Sequence, residues 1–125
     1  MEYKPKFKVV YTHEAVEFLK SLPSKAKEKV MYNIGKSMYS INKELFKKLG
    51  GSEIWEFRTL HNGMCYRLFS FWDSDIETLV VATHGIVKKT KKTPVSEIEK
   101  AENIRKEYFK NKKQHGWYEI IFTRW

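Results

Sequence analysis

The dipeptide Asn62-Gly63 constrains the fold most strongly, because it lies between two runs rich in aromatic and β-branched residues. Both residues tolerate the positive φ that a two-residue type I′ turn requires, and such a turn joins antiparallel strands. The turn predicts a hairpin in which Arg58 lies opposite Arg67, on the same side of the sheet. Two facing arginines repel unless an anion or a carboxylate lies between them, so the hairpin is the first indication of a site.

A third strand follows the hairpin. The polar segment 73–75 breaks the apolar pattern, as a turn does. The run 79–82, Leu-Val-Val-Ala, is apolar on both of its sides. This pattern indicates a central strand that is covered on both faces.

The N-terminal part predicts a strand and two helices. Residues 7–11 form a short strand, and Thr12 is the N-cap of a helix over 13–22. Apolar residues at helical spacing predict a longer helix over 24–49, which Gly50-Gly51 ends. The two helices are expected to form a hairpin that packs on one face of the sheet.

The C-terminal part predicts one more helix. Ser96 and Glu99 match a capping box, and Gly116 can stop the helix. The aromatic segment 117–125 is expected to form an extra strand or to dock on a partner. The predicted fold class is therefore α+β, as a single domain over residues 1–125. A helical hairpin packs on a mainly antiparallel sheet of about four strands, with a C-terminal helix and a possible terminal strand.

The charge of the chain favours a polyanionic partner. The 125 residues include 24 Lys and Arg against 15 Asp and Glu, giving a net charge of +9. Nucleic acid, a membrane surface or an acidic protein fits this balance, and a solvated basic surface is the alternative. A single cysteine, Cys65, excludes an intrachain disulfide and suits a reducing compartment. Since neither a secretory signal nor a membrane span is apparent, a cytoplasmic protein without a membrane partner is expected.

Arg58 and Arg67 are the first candidate site residues. A guanidinium stays charged and presents planar donors that match a phosphate. Two of them on one sheet face can hold a phosphate and stabilise the charge that develops in phosphoryl transfer. The alternative is that each arginine forms a structural ion pair with a carboxylate such as Glu56 or Glu77.

The other candidates follow the third strand. Near-neutral pKa makes His84 a possible proton carrier, although a lone histidine is often a hydrogen-bonded structural residue. The lysines of the next loop can follow a nucleic-acid backbone or be a solvated charge run: Lys88, Lys89, Lys91 and Lys92. With one cysteine and scattered histidines, no metal-ligand spacing is present, and no cofactor is predicted.

These motifs resemble those of the RelE/ParE superfamily of toxin–antitoxin toxins, and most closely its HigB-like, phage-derived branch. The shared elements are an E-x-R strand, a Y-R strand and an H-x-F-x-K-K-x-x-K-T-P segment before a helix with an alanine. In this sequence they are Glu56-Phe57-Arg58, Tyr66-Arg67, the run from His84 to Pro94, and Ala101. The resemblance covers roughly residues 7 to 112. Ile86 departs from it, because an aromatic residue is usual there.

The resemblance implies a small microbial-RNase-like fold and metal-independent cleavage of mRNA on the ribosome, by attack of a 2′-hydroxyl on the adjacent phosphate. Arg58 and Arg67 would hold the phosphate, and Lys88 would assist as an acid or charge stabiliser. His84 or Glu56 would move the proton. Flanking backbone would be held by Lys89, Lys91 and Lys92. The implied partner is an antitoxin, commonly a helix-turn-helix DNA-binding protein.

Two other functions remain open at this point. One is a non-catalytic toxin that inhibits gyrase, which shares this fold and needs no aligned arginines. The other is an inactive module that binds nucleic acid or an antitoxin.

Overall fold

The computed structural model describes residues 4–89 and 92–115, with side chains described as far as residue 112. Over these ranges the chain forms three helices and five strands. In order they are β1 (Lys8–Tyr11), α1 (His13–Lys20), α2 (Ser24–Tyr39), β2 (Phe46–Lys48), β3 (Trp55–His61), β4 (Met64–Trp72), β5 (Leu79–Lys88) and α3 (Val95–His115).

The five strands form one sheet in the order β1-β5-β4-β3-β2. Only the β1–β5 pair is parallel among the described strands, and the other three pairs are antiparallel. This arrangement confirms the predicted α+β fold with a mainly antiparallel sheet, with five strands instead of about four. β5 lies between β1 and β4, as its apolar character on both sides predicted.

The helices lie on opposite faces of the sheet, and each face has its own apolar core. The helical hairpin α1–α2 covers the larger core, as predicted. This core includes Phe7, Leu19, Ile34, Phe46, Phe57 and Leu68. α3 covers a smaller core, which includes Phe69, Phe71, Val81, Ala101 and Tyr108. The second face is therefore only partly apolar, and its remainder carries the charged residues described below.

Local turn and cap predictions are confirmed. Asn62 has φ 49° and Gly63 has φ 75°, as the type I′ turn demands. Arg58 pairs with Arg67 in the β3–β4 ladder. Thr12 is the N-cap of α1, where its side chain accepts a hydrogen bond from the Ala15 amide at 3.2 Å.

The predicted long helix over 24–49 is wrong in its second half. α2 ends at Tyr39, and a turn at Asn42 leads into strand β2. The backbone carbonyl of Asn42 accepts a hydrogen bond from the Phe46 amide at 2.8 Å. The side-chain oxygen of Asn42 accepts a hydrogen bond from the Glu44 amide at 2.8 Å. The apolar spacing that suggested a longer helix includes Ile41, which is 42% exposed. Phe46 is fully buried instead, because β2 turns its ring onto the first face of the sheet.

The glycine pair Gly50-Gly51 has a different role from the predicted helix end. Gly51, with φ 75°, lies in the turn between β2 and β3. The Leu49 amide donates to the Ile54 carbonyl at 2.8 Å across this turn. The prediction of a left-handed glycine is thus confirmed at Gly51, but this glycine turns the chain from β2 to β3 and does not end a helix.

The predicted capping box at Ser96 is also wrong. α3 already begins at Val95, and the Pro94 carbonyl accepts from the Glu97 amide at 3.1 Å. Ser96 therefore lies inside the first turn, where its side chain cannot act as the N-cap. The predictions for Gly116 and for segment 117–125 fall outside the described residues. Among the described helices, none is both long and apolar enough to cross a membrane.

Candidate functional site

The charged face of the sheet consists of three cross-strand rows, because directly paired residues of neighbouring antiparallel strands point to the same side. Each row takes one residue from β3, one from β4 and one from β5. The first row is Glu56, Phe69 and His84; the second is Arg58, Arg67 and Ile86; the third is Leu60, Cys65 and Lys88. α3 packs over this side of the sheet. The register therefore brings all four predicted catalytic residues onto one face.

A buried carboxylate joins the two arginines. Glu56 Oε1 accepts from Arg58 Nε at 3.2 Å and from Arg67 Nη1 at 3.3 Å. The side chains of Glu56 and Arg67 are fully buried, whereas that of Arg58 is 21% exposed. Glu56 is thus a carboxylate of the kind that the facing arginines require. Two guanidiniums therefore contact one buried carboxylate, and an anion from solvent reaches this cluster first at Arg58.

Thr93 ties the segment before α3 to this ion cluster. Its hydroxyl donates to Glu56 Oε2 at 2.7 Å and accepts from Arg67 Nη1 at 2.9 Å. The lysine-rich segment is therefore held against the arginine hairpin at its C-terminal end. Contacts between residues so distant in sequence are invisible to local pattern analysis.

His84 lies apart from the arginine pair. Its Nε2 is 3.1 Å from Glu97 Oε1, and its Nδ1 is 2.9 Å from the Thr83 hydroxyl. Its ring stacks on Phe69, with centroids 4.9 Å apart, and Phe69 separates it from Glu56 in the first row. Burial lowers the pKa of His84, and the charge of Lys100 lowers it further, although the hydrogen bond that Glu97 accepts from the ring opposes both. His84 is thus buried beneath α3, and both of its ring nitrogens form hydrogen bonds.

The lysines form the exposed margin of the site. Lys88 ends β5 in the third row, and Lys89 and Lys92 are exposed as well. The Cα atoms of His84 and Lys88 are about 13 Å apart along the strand. They consequently lie on opposite sides of the arginine row. Lys91, predicted to belong to the same group, lies outside the described residues.

A second buried carboxylate lies under the other end of α3. Asp73 Oδ2 accepts from Tyr108 Oη and from Lys112 Nζ, each at 2.6 Å. Its Oδ1 accepts from the amides of Asp75 and Ile76 at 2.8 and 3.0 Å. Burial acts to raise the pKa of Asp73, but the hydrogen bonds from Lys112, Tyr108 and the turn amides hold it below its usual value. This cluster fastens the helix to the β4–β5 turn.

Sequence reasoning missed Lys47 as a member of the charged face. Lys47 lies in strand β2 and pairs there with Glu56. The sequence had predicted a helix over this segment. The turn at Asn42 and the turn at Gly51, on either side of β2, were the available signals. Among the described residues, no group of three or more His, Cys, Asp or Glu side chains is placed to hold a metal ion.

Comparisons with known proteins agree on one type of fold. The profile of the family described as Phage derived protein Gp49-like matches residues 17–106. A double arginine-to-alanine mutant of the E. coli toxin RelE in the free state is similar in structure. It has TM-score 0.57 and 17% identity, with 80% of this chain and 97% of that chain covered.

Two toxin–antitoxin complexes are also similar. The M. tuberculosis RelBE2 complex matches with TM-score 0.52 and 20% identity, over 68% of this chain and 100% of that one. The intact E. coli RelBE complex matches with TM-score 0.51 and 16% identity, over 69% of this chain and 99% of that one. No curated protein matched the sequence.

Proposed function

We propose that this chain, which belongs to the phage-derived Gp49-like family and has the fold of RelE toxins, is a type II toxin that cuts mRNA on the ribosome. The family match supports the resemblance to the RelE/ParE superfamily and its phage-derived branch. The toxin inhibits translation by removing messages, and an antitoxin neutralises it.

The observation that carries this proposal is the pair of facing guanidiniums on the charged face of the sheet. Arg58 and Arg67 both contact the carboxylate of Glu56, and Arg58 is within reach of solvent. Guanidiniums match the planar oxygen pairs of a phosphate, and the surrounding lysines favour a polyanion. The cluster is therefore suited to hold a phosphodiester and to stabilise the additional negative charge of its transition state.

The proposed reaction is an internal transfer within the RNA strand. The 2′-oxygen attacks the neighbouring phosphorus, the bond from phosphorus to the 5′-oxygen breaks, and a 2′,3′-cyclic phosphate and a 5′-hydroxyl form. A water molecule accepts the proton of the 2′-hydroxyl, because Glu56 is fully buried and already contacts both arginines, and Lys88 gives a proton to the leaving 5′-oxygen. Arg58 stabilises the phosphorane-like charge from the solvent side of the cluster, and the buried Arg67 adds its positive charge from within the cluster.

His84 receives a positioning role in this scheme. Its hydrogen bond with Glu97 and its stacking on Phe69 leave it away from the arginine row. The side chain orders the start of α3, and with it Thr93. Lys89, Lys91 and Lys92 hold the flanking RNA backbone.

The proposed partner is an antitoxin of the helix-turn-helix kind. Two of the similar structures are toxin–antitoxin complexes, and this chain carries a basic face that an acidic partner segment can cover. Covering Arg58 and Lys88 would keep RNA from the arginine cluster. The antitoxin thereby neutralises the toxin by occupying its phosphate-binding face.

Induced expression in a bacterial host, followed by primer extension on abundant mRNAs, tests the function. Arg58→Ala is the informative variant, because Arg67 is fully buried and its removal threatens folding. Arg105→Ala, which removes a partly exposed arginine of α3 that pairs with Glu102, is the matched control. Wild type and Arg105→Ala should arrest growth and leave discrete cuts within translated frames, whereas Arg58→Ala should do neither at equal soluble protein.

Other outcomes would overturn the cleavage mechanism. Growth arrest with intact messages would favour the gyrase-inhibiting alternative. A wild-type protein that neither slows growth nor cuts RNA would favour an inactive binding module. Cuts that persist at the wild-type rate in Arg58→Ala would remove the arginine from the proposed site.

A further inference from the structure

Strand β2 places two adjacent lysines on opposite faces of the sheet. Lys47 pairs with Glu56 and therefore shares the face of the arginine cluster. Lys48 pairs with Trp55 and points to the other side. The two lysines have the same charge and are adjacent in sequence. The alternation of the strand places Lys47 on the face of the arginine cluster and Lys48 on the opposite face.

Electrostatic contacts agree with this placement. Burial raises the pKa of the Cys65 thiol in the third row, while the charges of Arg67, Arg58 and Lys47 act in the opposite direction. Lys47 is thus close enough to the cluster to act on the same buried group. Its neighbour Lys48 has its Nζ 3.9 Å from Glu53 Oε1, whereas no described carboxylate forms an ion pair with Lys47.

Two half-buried cations, Lys47 and Arg58, and the exposed Lys88 follow a diagonal across the sheet. Lys47 and Arg58 are diagonal neighbours on β2 and β3, with Cα atoms about 7–8 Å apart. Arg58 and Lys88 are two strands and one row apart, which is roughly 12 Å. The side chain of Leu60, 59% exposed in the third row, lies beside this line and offers an apolar surface. A chain with regular negative charges and apolar bases fits such a surface.

We propose that Lys47 contacts a backbone phosphate, and that single-stranded RNA crosses the sheet diagonally from Lys88 over Arg58 to Lys47. The inference rests on the proposed function and adds to it a direction for the RNA and a further binding residue. RNA in this path has one phosphate at the arginine cluster and a neighbouring phosphate at the edge strand. The α2 side of the sheet, which carries Lys48, takes no part.

Salt-dependent binding tests the path. A fluorescent single-stranded RNA with 2′-O-methyl groups serves as the probe, because it cannot undergo attack by its own 2′-oxygen. Anisotropy titrations from about 50 to 200 mM salt give the slope of log affinity against log salt. Wild type, Lys47→Ala, Lys48→Ala, Lys47→Arg and Arg58→Ala are compared, each after its unfolding curve has been recorded.

The expected difference is between the two neighbouring lysines. Lys47→Ala should reduce the magnitude of the slope by about 0.7, the value for one phosphate contact on a single strand. Lys48→Ala should match the wild-type slope, and Lys47→Arg should retain it. If Lys47→Ala behaves like Lys48→Ala while Arg58→Ala weakens binding, the diagonal path is wrong and the proposed function stands. If the wild type itself binds the probe without salt dependence, both the proposed function and the path are overturned.

Discussion

α3 lies near two buried carboxylates, and the described groups that contact them differ in charge. Near the N-terminus of the helix, the guanidiniums of Arg58 and Arg67 contact the carboxylate of Glu56. Near its C-terminus, the ammonium of Lys112 contacts the carboxylates of Asp73 and Asp75. Among these described contacts, cations outnumber carboxylates in the first cluster, which suits an incoming phosphate, whereas carboxylates outnumber cations in the second.

The carboxylates of Asp73 and Glu56 are both buried, but the first has a structural role and the second lies in the candidate site. Asp73 uses both oxygens on the turn amides, on Tyr108 and on Lys112, so its hydrogen-bonding capacity is satisfied within the fold. Glu56 instead brings together two like charges whose mutual repulsion costs free energy. Such a cost is commonly found at binding sites, where the ligand relieves it.

The largest effect on stability is expected for Glu56→Ala. The variant leaves the buried guanidinium of Arg67 without its carboxylate, which should lower the free energy of unfolding by about 3–5 kcal/mol. Urea denaturation measures this loss. Inorganic phosphate should then raise the Tm of the variant more than that of the wild type, because an anion can replace the carboxylate between the arginines. An equal response of both proteins to phosphate would contradict an anion site at this position.

Asp73→Ala is expected to cost somewhat less, about 2–3 kcal/mol, because Lys112 is partly exposed while the hydroxyl of Tyr108 loses its buried acceptor. The same urea experiment measures it. Phosphate should give no selective recovery, since Asp75 still pairs with the ammonium of Lys112. Recovery equal to that of Glu56→Ala would show that the two clusters do not differ as described.

Thr93→Val should cost about 1 kcal/mol, because the isosteric change removes the hydroxyl that bridges Glu56 and Arg67. Thr93→Ser keeps the hydroxyl and is the matched control, with a stability close to that of the wild type. Both variants are compared by thermal unfolding. A serine variant as unstable as the valine variant would assign the loss to packing of the methyl group instead of to the hydrogen bonds.

The smallest effect is a pH dependence that originates at His84. Its pKa is lowered in the folded state, so the unfolded chain binds more protons as the pH falls through the unfolded value near 6.5. Its contribution to stability is complete above that pH and is lost progressively below it, with a slope of at most about 1.4 kcal/mol per pH unit. Urea denaturation at several pH values should give a shallower slope for His84→Gln than for the wild type. Identical slopes would exclude His84 as the source.

The β3–β4 hairpin was predictable from the sequence because it depends on a local turn. The Asn62-Gly63 turn fixed the register of β3 and β4, and with it the facing pair Arg58 and Arg67. The strand β2 was missed despite the turn residues on either side of it, because Ile41 and neighbouring apolar residues fall at helical spacing. Its existence depends on burying Phe46 against residues that are distant in sequence.

The shared face of the candidate residues was predictable from the sequence, but the contacts among them were not. The register brings Arg58, Arg67 and Lys88 to one face, as expected from strand alternation. The contact of Thr93 with Glu56 spans 37 positions and depends on how α3 packs. The separation of His84 from the arginine row likewise follows from the β4–β5 register, which no turn signal specifies. The catalytic roles of these residues remain predictions.

The most direct test of the difference between the two clusters is a map of RNA crosslinks on the purified protein. Single-stranded RNA that carries 4-thiouridine is bound, irradiated and digested, and the crosslinked peptides are identified by mass spectrometry. Crosslinks should lie in the segments of β3 and β5 that carry Leu60 and Lys88, next to the positive cluster. Crosslinks concentrated at the turn 73–78 and around Lys112 would place RNA at the carboxylates of Asp73 and Asp75. This result would contradict RNA binding at the arginine cluster.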